Sequence, residues 1–391
     1  HPRVRRQRQM CIRDSYMDMS AITPSTMQLN RLKWETTTEY NTGLDASFLR
    51  GKLRFTVDVY QKYIKDLLQK KVEMPTSIGY GNGYEVSYMN SGKMTNKGWE
   101  FRVDAVPFEN KDWRVGFYFN IAHNENKITE MPDNYTEENY TFNNGNYAYR
   151  REEGRPMGSF YGYRYKGVYQ NKDATYARDA DGNVMRDISG NAIVMRNGNA
   201  TVAPGDAIYE DINHDGVINQ YDIVYLGNSN PRFTGGAGIN ISYKQFKLSA
   251  IFYGRYGQDV VNSTRLNNES MRGIDNQSTA VLRRWRNEGD QTDIPRALYG
   301  EGYNTLGSDR FVEDASYLRL KSLSFTYRLP KKAIQRWGFN NIDVYVTGYN
   351  LLTWTKYTGQ DPEVKTENTY ARDSATTPAS IQLVAGFNLS F

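Results

Sequence analysis

The stretch DINHDGVINQYD, which begins at Asp211, spaces oxygen-bearing side chains as a hard cation needs them. Asp211, Asn213, Asp215, Asn219 and Asp222 fall on positions 1, 3, 5, 9 and 12 of a calcium loop, with the Val217 carbonyl at position 7. Gly216 supplies the sharp turn. Three aspartates carry enough charge for Ca2+ or Mg2+, while Asp222 stands where a longer, bidentate Glu is usual. The competing reading is an Asx-rich turn that binds nothing. No helix pair clearly flanks the loop, so the expectation is a cation clip that stiffens a long loop, not a sensor.

Catalytic chemistry finds no comparable support. The only histidines are His1, His123 and His214, and no Cys–His pair, nucleophile elbow or zinc spacing occurs. No catalytic residue is assigned, and an enzyme is not expected. GGAGIN at Gly235 lacks the full glycine pattern of a phosphate loop and reads as the start or bend of a strand. TAVLRRWRNEGD, around Trp285, reads as a short helix packed on a loop. Eight tyrosines lie between Tyr135 and Tyr169. Tyr135, Tyr140, Tyr147 and Tyr149 are the candidates for stacking on a substrate sugar. Tyr161, Tyr163, Tyr165 and Tyr169 alternate like residues of a strand or an aromatic girdle.

These residues need elements to hold them, and composition narrows the choice. Aromatics make up 14% of the 391 residues, with 31 Tyr. Tyr is at home in strands and at water–apolar boundaries. No run approaches the ~18 apolar residues of a spanning helix, but a membrane barrel needs only ~10 alternating residues per strand. The net charge of +5 comes from Arg3, Arg5, Arg6, Arg8 and Arg13; without them basic and acidic residues balance at 44 each. Nucleic acid is therefore not an expected partner. Residues 1–15 lack the apolar core of a targeting signal. They resemble translated sequencing-adapter read-through and are read as a non-native leader, leaving 16–391 as an amino-terminally truncated piece of a longer chain.

Past residue 35 the dominant period is two. Leu53, Phe55, Val57 and Val59 alternate with polar residues, as do Trp99, Phe101 and Val103, and Val115, Phe117, Phe119 and Ile121. Roughly ten strands result, including Thr36–Phe48, Gly158–Tyr169, Phe233–Tyr243 and Ile381–Phe391. Tight connections such as Lys244-Gln245 alternate with long polar ones, the habit of outer-membrane barrels. In YLRLKSLSFTYRL the apolar phase slips after Leu320, which predicts a β-bulge near Lys321. The alternating end, with Phe387, Leu389 and terminal Phe391 on one face, is similar to the signal that such barrels present for assembly.

Longer words carry a family resemblance. NKGWEF, GRPMGSFYGYRYKGVYQ, PGDAIYEDINHDGVINQYD, LGNSNPRFTGG, TDIPR, EDASYLRLKSLSFTYRLP and DVYVTGYNLLTWTKYTGQDPEV resemble the SusC/RagA family of TonB-dependent outer-membrane transporters, in the family's order from about Asn30 to Phe391. The resemblance implies an all-β fold, with roughly the last ten strands of a large plugged antiparallel barrel of the ~22-stranded class. It also implies a cell outer-membrane location, surrounding lipid, a SusD-like surface lipoprotein, a TonB complex reached through upstream parts, and oligosaccharide or peptide cargo. The rival expectation is a secreted, calcium-stabilised β-domain that binds polysaccharide.

Overall fold

The computed structural model describes residues 11–16, 19–24, 32–73, 85–90, 92–131, 146–148, 151–335, 338–364, 366–367 and 370–391. Its frame is one antiparallel sheet of nine strands in strict chain order. These are β1 (Thr36–Phe48), β2 (Leu53–Lys65), β3 (Lys93–Glu109), β4 (Trp113–Glu130) and β5 (Phe233–Tyr243), followed by β6 (Phe246–Tyr256), β7 (Tyr317–Arg328), β8 (Asn341–Thr355) and β9 (Gln382–Ser390).

The period of two becomes a two-faced wall because the register keeps every apolar set in phase. Val57 pairs with Phe101, Phe101 with Ile121, and Phe117 with Ile239. Across the next strands Phe252 meets Leu320, Leu320 meets Leu352, and Val344 meets Phe387. Large apolar residues on this face stand open, among them Leu44 at 60%, Phe325 at 48%, Trp354 at 49% and Phe387 at 67% exposure. Apolar exposure on this scale far exceeds what a soluble surface tolerates.

The opposite face is polar and self-bonded. Ser249 donates to Asn240 at 2.8 Å, Ser324 shares a 2.7 Å hydrogen bond with Thr347, and Arg328 grips Asp343 through two bonds of 2.7 and 2.9 Å. Here Tyr60, Tyr118 and Tyr345 each stand directly opposite a glycine, respectively Gly98, Gly238 and Gly386. A Cβ on any of the three glycines would strike the tyrosine. The ring thus covers backbone that the glycine leaves bare. Tyr60 even reaches over Gly98 to donate to Asn124 at 2.9 Å.

Connections differ at the two ends. Leu49–Gly51 joins β1 to β2 with three successive positive φ values, and Lys244 (φ 49) turns β5 into β6 in two residues. At the other end run the long excursions 131–232, 257–316 and 356–381. Aromatics gather near both ends: Trp113 on Tyr243 (4.3 Å) and Phe246 on Tyr327 (4.9 Å) beside the turns, and Trp99 near Phe233 (6.2 Å) beside the loops.

The bulge expected at Lys321 is present. Leu320 and Ser322 pair with Phe252 and Ile251, consecutive on β6, so Lys321 is the extra residue that returns Leu323, Phe325 and Tyr327 to the apolar face. One expected strand is corrected. Gly158–Tyr169 does not enter the sheet, because β4 and β5 are direct partners (Ala122 opposite Thr234) and leave no place between them. That stretch instead splits into Ser159–Gly162, paired with Val224–Asn228, and Tyr165–Val168, paired with Ala207–Tyr209. It lies beyond the loop end of the sheet. Outside the sheet, Cys11–Tyr16 pairs with Met19–Pro24.

Candidate functional site

The long excursions pack on each other into an outer body with its own apolar cores. One gathers Tyr163, Tyr169, Val202, Tyr209, Ile218 and Leu306; another gathers Tyr147, Phe160, Val261, Leu266 and Phe311. Tyr161 and Tyr163 are at most 1% exposed, so the expected girdle tyrosines are core residues here. Of the substrate candidates, Tyr135, Tyr140 and Tyr149 lie outside the described residues, and Tyr147 is 6% exposed. Its hydroxyl donates to the Ser308 carbonyl at 2.7 Å, and burial pushes its pKa up. In this packing the ring presents no open face.

Buried ion pairs tie the excursions together. Asp206, fully buried, accepts from Arg296 at 2.7 and 3.1 Å and from the Asn304 amide at 3.0 Å. The PGD and TDIPR words of the sequence meet at this point. Glu269 joins Arg265 (3.0 Å) to Arg310 (2.8 Å), and Arg265 continues to Glu313 (3.1 Å). On the polar face of β7, Arg319 and Lys321 both donate to Glu363 at 2.8 Å, and Arg319 also holds Asp361. The QDPEV stretch is thereby anchored to the polar face of the wall. Except for Arg265–Glu269, only four residues apart, none of these pairings was legible in the sequence, since each joins segments tens of residues apart.

Loop 211–222 sits on the first core. Ile218 is fully buried in it, and the backbone is fixed by N–H bonds from Arg196 to the Gly216 carbonyl (3.0 Å) and from Gly198 to the Ile218 carbonyl (2.8 Å). Gly216 has φ 81, and His214 before it φ 56. The carboxylates are turned to backbone amides. Asp211 accepts from Gly216 (2.8 Å), Asp215 from Val217 (2.8 Å), and Asp222 from both Ile212 and Asn219 (2.8 Å each). The Asn213 amide donates to Asp215 (2.9 Å), and Asn219 caps the Tyr221 N–H (2.8 Å). Val217 offers its carbonyl to the Asn219 amide at 3.1 Å. Among the described residues no three carboxylate, imidazole or thiol groups converge on one point. Asp211 Oδ1 is buried without a hydrogen-bond partner, and burial, with Asp211 and Asp215 nearby, raises the Asp222 pKa.

A two-faced antiparallel wall with short turns at one end and a folded outer body at the other has a counterpart among known families. The family model for the TonB dependent receptor-like β-barrel matches residues 13–351. This chain belongs to that family. Within the TonB-dependent receptors it is 31% identical over 349 residues to TonB-dependent receptor P3 of Formosa agariphila, a match covering 87% of this chain and 32% of that one. It is 27% identical over 368 residues to TonB-dependent receptor SusC of Bacteroides thetaiotaomicron, covering 92% of this chain and 32% of SusC. Among solved structures it resembles the RagAB peptide importer in its closed-closed state, with TM-score 0.72, 26% identity, and coverage of 98% of this chain and 38% of that one. The chain thus spans about a third of the length of the curated TonB-dependent receptors it matches.

Proposed function

We propose that this chain forms the carboxyl-terminal wall and outer loops of a TonB-dependent transporter in the outer membrane, importing oligosaccharides or peptides beneath a SusD-like surface lipoprotein. The observation that carries the reading is the two-faced sheet: one continuous apolar face across nine strands, backed by a bonded polar face. Hydrocarbon satisfies the first face, and a plug with its water satisfies the second. Substrate passage belongs to the assembled barrel, with TonB acting through parts beyond this chain. Phe387 and Leu389 on the open face of β9, with Phe391 just after it, would serve as the assembly signal.

A Ca2+ or Mg2+ ion in loop 211–222 is the accessory part of the proposal. Asp211, Asp215 and Asp222 supply its charge, Asn213, Asn219 and the Val217 carbonyl supply further oxygens, and Asp211 Oδ1 is the acceptor already free. Bound there, the ion would lock the loop to the core around Ile218.

Membrane sidedness tests the main reading. A cysteine placed at Ile188, fully exposed on the loop side, should react with an impermeant maleimide in intact cells, while one at Lys111 in the β3–β4 turn should react only after lysis. Gene deletion should abolish growth on one oligosaccharide or peptide source. A water-soluble product with both sites equally reactive would sink the proposal and favour the secreted β-domain.

A further inference from the structure

We propose that the glycine pair Gly235–Gly254 marks a binding site for one acyl chain of an anionic lipid, in a trough on the apolar face of the sheet. The inference rests on the outer-membrane reading above. Gly235 on β5 and Gly254 on β6 are direct partners in the register. In the same row, Ile121 flanks Gly235 and Leu318 flanks Gly254. One row toward the loops Phe233 faces Tyr256, and one row toward the turns Ala237 faces Phe252. Two adjacent side chains are therefore missing from an otherwise filled apolar surface.

The gap is wide enough to matter. The trough measures about 700 Å³, within the ~300–1,000 Å³ range of small-molecule sites. Phe252 and Trp354, stacked with centroids 6.5 Å apart, wall one side, and Phe233 with Tyr256 (6.4 Å) wall the loop side. The glycines are dictated by the backbone. A Cβ on Gly235 would lie 2.5 Å from the Asn120 carbonyl oxygen, and one on Gly254 2.7 Å from that of Tyr317. With neighbouring carbonyls this close, neither position can carry a side chain to fill the space.

Its occupant follows from what surrounds it. The trough is continuous with the face that meets hydrocarbon, and an empty apolar gap there forfeits dispersion contact on every wall. Water would find few polar partners inside. A methylene chain fits both the shape and the chemistry. At the loop end the trough opens beside Asp314, Ser316, Thr355 and Lys356. Asp314 is engaged with the N–H and hydroxyl of Ser316. Lys356 is exposed and forms no ion pair among the described residues, so it is free to meet an anionic headgroup.

The test uses the transporter with the strands that complete its barrel, placed in nanodiscs of mixed phosphatidylglycerol and phosphatidylcholine. After extraction in detergent, retained lipids are counted by native mass spectrometry. One phosphatidylglycerol per protein is expected. Ala237→Trp, whose ring would lie in the trough, should lower its retention about tenfold, and Ala237→Phe should act in the same direction. Val346→Trp, on the same face but away from the trough, should retain the lipid, and Lys356→Glu should erase the preference for the anionic headgroup. Equal retention in the Ala237 variants, or none in the unaltered protein while it remains in the bilayer, overturns the site. A product that never enters the bilayer overturns the membrane reading and the site together.

Discussion

Asp206 and Arg296 close a two-toothed ion pair across ninety residues of chain, Nε to Oδ1 at 2.7 Å and Nη2 to Oδ2 at 3.1 Å. The carboxylate is fully buried and also accepts the Ala203 N–H at 2.8 Å. The guanidinium pKa is raised chiefly by its hydrogen bond to Asp206. This one contact joins the excursion that carries loop 211–222 to the excursion between β6 and β7.

Breaking it should loosen the outer body without opening the wall. Arg296→Ala strands a buried carboxylate, a loss of about 3 kcal/mol, at the low end for a broken buried pair because Arg296 keeps some solvent contact. Hydrogen exchange should quicken over 203–209 and 292–306, while β5–β8 keep their protection. Unchanged exchange in those loops would show that the apolar cores alone hold them.

The bulge gives an asymmetric deletion test. Removing Lys321 leaves Leu320 and Leu323 in regular alternation, so the faces stay in phase and the barrel should still reach the membrane. Removing Ser324 swings Phe325 and Tyr327 to the polar face, because a one-residue slip inverts every following side chain. Assembly, read as resistance of the folded form to unfolding in detergent at room temperature, should survive the first deletion and fail in the second. The reverse result would mean that the bulge serves the Lys321–Glu363 bond instead of the phase.

Acidity should tighten the rim of the outer body at Asp259. Burial, then the charge of Asp314, raises its pKa, against the N–H bond from Asn228 that lowers it. A carboxyl whose folded pKa is raised lends its stability below its unfolded value and loses it as pH rises through the folded one. Exchange protection at 224–228 and 259–262 should therefore grow as pH falls from neutral into the carboxylate range. In Asp259→Asn that trend should vanish, with protection at neutral pH at least equal to the parent's.

Added Ca2+ should slow exchange across 211–222, and a chelator should restore it. Asp211→Asn, which removes charge at the atom already free of partners, should weaken the response by about tenfold or more. A loop equally protected with and without cation would leave it an Asx-rich turn.

Much of the wall was readable before any fold was known. Alternation at Leu53–Val59, Trp99–Val103 and Val115–Ile121 fixes which side chains share a face, because neighbouring residues of a strand point to opposite sides. The phase slip at Lys321 was visible for the same reason, and so was the turn chemistry at Gly216. The misreading of Gly158–Tyr169 has an equally physical cause. Tyr161 and Tyr163 alternate like barrel residues, but burial on all sides tolerates that pattern as readily as a membrane does.

By itself, then, the sequence determined the strands of the wall, their apolar face, the order of tight and long connections and the turn at Gly216, all properties set within a few neighbouring residues. Only the tertiary structure decided that Asp206 meets Arg296, that Arg319 and Lys321 hold Glu363, and that Tyr147 is spent on Ser308. Each of those depends on register and on the closure of loops tens of residues long, and local spacing carries no record of either.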